Sequence, residues 1–164
     1  MPLTSGKRAF LEILKQEGVE YLFGNPGTTE LPLMDGLVEE PALTYVLGLQ
    51  EAAVVAMADG YAQASGKLGV VSVHVAPGLG NALGMLYDAQ KAGAPLLVTA
   101  GQHDQSFNVT EPILWADLPP IARPFVKWSA EVRRLEDLPR LVRGATKTAL
   151  APPSAPVFLS MPAD

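Results

Sequence analysis

Cysteine is absent from the 164 residues, so neither a disulfide framework nor thiolate chemistry is open to this chain. Basic residues are outnumbered. Twelve Lys and Arg against 17 Asp and Glu leave a net charge of −5, which argues against the clustered positive surface that nucleic-acid binding requires. No apolar run approaches the roughly 20 residues of a membrane span, and the opening MPLTSGKRAF lacks the apolar stretch of a secretory signal. These absences predict a cytoplasmic protein with no nucleic-acid and no membrane partner. There is also no G-x-S-x-G elbow and no acidic cluster with metal-ligand spacing, so serine hydrolysis and a metal site built by this chain find no support.

What is present is a core. Hydrophobic residues make up 48% of the chain and charged ones 18%, and the length suits one domain. Thr4 or Ser5 can cap a first helix with Phe10, Leu11, Ile13 and Leu14 on one stripe, stopped by Gly18. Strands are predicted over 19–23, 43–47, 68–75, 95–100, 126–128 and 156–161, with helices to about Leu37, from Glu51 to Gly66, from a Pro77–Gly80 turn to Ala92, and over 135–150. Residues 102–124 are the least regular. Strands alternating with helices through Gly-rich turns predict an α/β fold, a three-layer, Rossmann-like parallel sheet with helices on both faces.

Three of the predicted strands end in residues able to do chemistry. Glu51 opens a narrow, alanine-rich helix after the strand at 43–47. An acid there also has a plain role, since carboxylates in a first turn complement the helix dipole. The run Gly24-Asn25-Pro26-Gly27-Thr28-Thr29-Glu30 follows the strand at 19–23, and its glycines free the backbone where two threonines open a helix. His74 closes the strand at 68–75. A single histidine there is ordinarily a hydrogen-bonded structural residue. Ligands in open parallel sheets sit at the carboxyl ends of the strands, so these positions could share one crevice.

Other motifs are weaker. Gly78-Leu79-Gly80 through Gly84 is spaced G-x-G-x-x-x-G and follows two complete βα units, so it reads as a tight turn rather than a dinucleotide fingerprint. Asp59-Gly60 falls inside the alanine-rich helix, where Asp59 is expected to face solvent or a helix partner. His103 and Asp104 sit in a polar loop that could line a site.

The series Gly24-Asn25-Pro26-Gly27-Thr28-Thr29-Glu30-Leu31-Pro32, Gln50-Glu51-Ala52, Ala58-Asp59-Gly60-Tyr61-Ala62, His74 before Gly78-x-Gly80-Asn81, Thr99-Ala100-Gly101-Gln102, Val126-Lys127-Trp128-Ser129 and Pro156 to Ser160 resembles a known family. It is similar to the N-terminal, pyrimidine-binding domain of thiamine-diphosphate-dependent 2-oxo-acid enzymes, and most of all to the benzoylformate decarboxylase group. The resemblance covers essentially the whole chain.

It implies that Glu51 hydrogen-bonds the aminopyrimidine of thiamine diphosphate and promotes the imino tautomer that removes the thiazolium C2 proton. It implies that His74 assists proton transfer around the substrate, that Thr28 meets the carboxylate of a small 2-oxo acid, and that Pro26, Gly27 and Asn81 line the crevice. Thr28 stands where that group has serine and Thr29 where it has asparagine, so the pocket shape can differ, and Pro77 is expected to stiffen the turn after His74. Acetolactate-synthase-like carboligases share the glutamate but are not expected to carry His74. A non-catalytic pairing module would have no use for these residues.

The resemblance further implies one domain over 1–164, with the middle and diphosphate-binding domains absent from this chain. Mg2+ and the diphosphate would be held by that absent C-terminal domain, contributed by a second subunit of a homo-oligomer. Either a fragment of a longer chain or one subunit of a split enzyme would fit, and the end just after the last strand favours a fragment.

Overall fold

The computed structural model describes residues 5–164. The first helix, α1 (Gly6–Gln16), is capped by Ser5, whose hydroxyl accepts the Arg8 N–H at 3.5 Å, and Gly18 follows its end with φ +78. Thr4 lies outside the described residues. The strand β1 (Tyr21–Gly24) leads through a 3₁₀ turn at Thr28–Glu30 into α2 (Leu31–Leu37). Then come β2 (Thr44–Leu47), α3 (Glu51–Ser65), β3 (Gly69–Val73), α4 (Val75–Ala92) and β4 (Leu96–Gln102). Two short helices, α5 (Gln105–Asn108) and α6 (Leu118–Ala122), cross the irregular region before β5 (Trp128–Glu131), α7 (Leu138–Leu150) and β6 (Val157–Pro162).

All strand pairs are parallel, in the order β2-β1-β3-β4-β6-β5. The α/β reading therefore holds, with helices on both faces. Successive residues of a strand point to opposite faces. Leu96, Val98 and Ala100 of β4 pack with Val71, Val73 and Phe158 under α3, α4 and α6, whereas Leu97 joins Val70, Val157 and Leu159 under α1 and α7. A fully buried Leu or Phe contributes about 1.5–3 kcal/mol by leaving water, so the two apolar layers dominate the stability.

The order places β2 on one side of β1 and β3 on the other, so the chain reverses its direction of travel across the sheet at β1. Leu22 pairs with Val70 and Gly24 with Ser72 across that junction. The crevice beyond the carboxyl ends of β1 and β3 is the switch point, where such sheets bind ligands.

Several boundaries differ from those the sequence predicts. The Pro77–Gly80 segment is not a turn: α4 begins at Val75, β3 ends at Val73, and His74 is the helix cap. Proline is tolerated there because a first-turn N–H has no helical partner to lose. The strand predicted over 126–128 lies later, at Trp128–Glu131, since its ladder with β6 begins at Trp128 opposite Val157. Lys127 instead caps α7, donating to the carbonyls of Thr148, Ala151 and Pro153 at 2.9, 2.6 and 3.0 Å. The last helix starts at Leu138 after a 3₁₀ turn over Leu135–Asp137.

Candidate active site

At the start of α3 two side chains divide the work. Gln50 is the cap, its side-chain oxygen accepting the N–H groups of Ala52 at 2.7 Å and Ala53 at 3.2 Å. Glu51 is thereby released from capping. Its carboxylate accepts Asn25 Nδ2 at 3.1 Å on one oxygen and Asn81 Nδ2 at 2.9 Å on the other, and the residue is 6% exposed. No Lys or Arg pairs with it among the described residues. Two neutral amides leave lone pairs on both oxygens, so the carboxyl group can still hydrogen-bond a ligand.

His74 is held from β1's side of the crevice. Its Nδ1 lies 2.8 Å from Glu30 Oε2 and 3.2 Å from Thr29 Oγ1. A carboxylate on Nδ1 fixes the tautomer with hydrogen there and leaves the Nε2 lone pair free. Glu30 is itself 3% exposed and well bonded: Gly27 N–H donates at 2.9 Å, Gly101 N–H at 2.8 Å and the Thr29 hydroxyl at 2.7 Å. Gly27 lies against the His74 ring so closely that a Cβ there would overlap it. A Cβ on Gly78 would touch both catalytic candidates, at 3.2 Å from Glu51 Oε1 and 3.4 Å from His74 Cβ. One face of α4 thus joins the two.

Of the residues singled out in the sequence, Glu51, His74, Gly27 and Asn81 converge. Thr28 opens the 3₁₀ turn and is exposed, while Pro26 is half-buried in the same loop. Asp59 accepts from Gln63 one helical turn on, at 2.9 Å, as expected of an outward residue. His103 Nε2–H donates to the Ile113 carbonyl at 3.1 Å, and Asp104 caps α5, where Ser106 hydrogen bonds hold its carboxyl below the ordinary aspartate value.

Asn25, Thr29 and Glu30 were not foreseen as site residues. The available signal was Glu30's place after one strand and His74's after another, but the sequence does not say that those strands are neighbours. Near them Tyr45 buries its hydroxyl with no hydrogen-bond partner among the described residues, and burial followed by the Glu30 charge pushes its ionisation upward. Behind Glu30, between α1 and the ends of β4 and β6, lies a cavity of about 310 Å³ that reaches Thr29 and Glu30 but neither Glu51 nor His74.

Residues 4–114 match the family described as thiamine pyrophosphate enzyme, N-terminal TPP binding domain. The chain belongs to that family. It is 45% identical to a benzoylformate decarboxylase of Pseudomonas aeruginosa over 157 residues, and 36% identical to an acetolactate synthase large subunit of Lactococcus lactis over 161. These alignments cover 95% and 98% of the chain but only 29% and 28% of the relatives. A thiamine diphosphate-dependent 4-hydroxybenzoylformate decarboxylase from Rhodococcus jostii superposes with a TM-score of 0.94 at 41% identity, covering 98% of this chain and 30% of that one. Benzoylformate decarboxylase from Polynucleobacter necessarius gives 0.94 at 39%, covering 99% and 30%. The chain therefore spans less than a third of the length of these relatives, over the TPP-binding domain at their N-terminus.

Proposed function

We propose that this chain is the pyrimidine-binding domain of a 2-oxo-acid decarboxylase of the benzoylformate type, a carboxy-lyase. The observation that carries the reading is the buried Glu51 carboxylate, bonded by two amides and, among the described residues, by no cation, beside a histidine held by its own carboxylate. Those residues fit the aminopyrimidine of thiamine diphosphate. When bound, the cofactor supplies an acidic carbon and a sink for the electrons released as carbon dioxide leaves.

Glu51 shares a proton with the ring nitrogen, while Asn25 and Asn81 hold its two oxygens. Pro26, Gly27 and Asn81 wall the crevice. Thr28 offers its hydroxyl to the substrate carboxylate, and His74 moves protons to and from the substrate-derived group through Nε2. His74 also separates this reading from a carboligase of the acetolactate-synthase kind, for which the histidine is not expected.

The proposal assigns the remainder of the active site to other domains. Among the described residues no group of three His, Cys, Asp or Glu side chains could hold a metal. In the proposed assembly the diphosphate and Mg2+ sit on a diphosphate-binding domain of a second subunit, in a cytoplasmic homo-oligomer. Exposed Leu47 and Leu49, 60% and 90% accessible at the rim beside Gln50 and Glu51, support a docked neighbour. Among the described residues no helix is long and apolar enough to cross a membrane.

The test is carbon dioxide release from benzoylformate by the protein that joins this chain to a diphosphate-binding domain. Turnover that depends on Glu51 supports the proposal. Turnover unaffected by Glu51→Gln, or product formed only by joining two 2-oxo acids, overturns it.

A further inference from the structure

Val75 is the first residue of α4, is fully buried, and has φ +43. That is the left-handed region, which a β-branched L-residue avoids more strongly than almost any other. Elsewhere the chain meets this conformation with glycine, at Gly18, Gly66 and Gly93, each just past a helix end. The other non-glycine cases among the described residues, Glu111 and Leu114, lie exposed in the irregular region. Among the described residues, Val75 alone combines the strained backbone with complete burial and a place next to a site residue.

We propose that Val75 is a positioning residue that locks His74 and the first turn of α4 in catalytic register. The strained residue reverses the chain from β3 into α4 in a single step. His74 becomes the helix cap, with its carbonyl accepting Gly78 N–H at 2.8 Å and its ring delivered to Glu30 and Thr29. The same turn sets Gly78 against both His74 and Glu51, and brings Asn81 to within 2.9 Å of the Glu51 carboxylate. Glycine would reach this backbone freely but would also leave it freely. A buried valine, stiff at χ1, has no such latitude. Strain that persists in a buried segment beside reactive groups is a sign that its surroundings fix it for function. The catalytic meaning of the lock rests on the decarboxylase reading above, whereas the geometry does not.

The test therefore uses no cofactor and no turnover. The His74 imidazole N–H is observed by NMR in this chain, with His103 as internal reference, in Val75→Gly, Val75→Ala and Val75→Thr. Protection of the Nδ1 proton against solvent exchange should fall by about tenfold or more in Val75→Gly, because the glycine backbone is free to leave the bend. It should fall less in Val75→Ala and be retained in the near-isosteric Val75→Thr, with His103 unchanged throughout. Equal protection in a folded Val75→Gly overturns the proposal. So does failure of both Val75→Gly and Val75→Ala to fold while Val75→Thr folds, because Val75 is then core packing alone. Because the readout is the tautomer and exchange of one ring, loss of the decarboxylase reading would leave this result standing.

Discussion

Glu30 Oε2 lies 2.8 Å from His74 Nδ1, and the same oxygen accepts the Gly27 N–H at 2.9 Å, so one buried carboxylate ties the loop after β1 to the cap of α4. Removing it strands the Gly27 and Gly101 donors and frees the ring. Glu30→Ala should lose about 3 kcal/mol of stability, the scale of uncovering buried donors that a charged acceptor satisfied. Denaturant unfolding measures this, and an unchanged midpoint would show that the carboxylate holds nothing.

Glu51 and His74 should separate by the step at which they act. In the assembled enzyme, Glu51→Gln should slow exchange of the cofactor's C2 proton before any substrate is added, and turnover should fall with it. His74→Ala should leave that exchange near normal and lower turnover by about 10²–10⁴-fold, as for a positioned acid–base group. Proton exchange followed by NMR in the two variants decides the assignment. If Glu51→Gln exchanges as fast as the parent, Glu51 is misassigned.

The chain alone should bind thiamine diphosphate weakly, because nothing proposed for it grips the diphosphate. Titration calorimetry with and without Mg2+ is the measurement, and tight, metal-dependent binding would count against the proposed division of the site.

Exposed Leu49 should make the chain self-associate at high concentration. Light scattering should report a dimer or larger species, and Leu49→Asp should shift it towards monomer. A monomeric parent would refute the idea that this rim is a docking edge.

Lys127 gives a control that separates stability from chemistry. Its ammonium group satisfies three carbonyls at the end of α7, and it is exposed, so Lys127→Met should cost only about 1 kcal/mol. A fall in the thermal midpoint without any change in the His74 N–H signal is the expected result.

The layers of this fold were legible because burial in a parallel sheet writes continuous apolar runs, such as those ending in Val73 and Ala100. Glu51 and His74 were legible as candidates because each stands at a strand's carboxyl end, whereas Asn81, nearly two helical turns into α4, was named only through the family resemblance. Glu30 was not. Besides its neighbour Thr29, its partners come from positions 27, 74 and 101, and only strand order brings those together. The start of α4 was misplaced for a local reason: Pro-Gly-x-Gly spells a turn, and nothing in the letters announces that a valine takes the left-handed bend instead.

Gln50, finally, relieves its neighbour of a second duty. Because the amide oxygen satisfies the first N–H groups of α3, the helix does not depend on the charge carried one residue later. In the role proposed for Glu51, its carboxyl is free to serve a ligand while Gln50 keeps the first turn of α3 in place. Chemistry and architecture are insulated from each other at this point by one side chain.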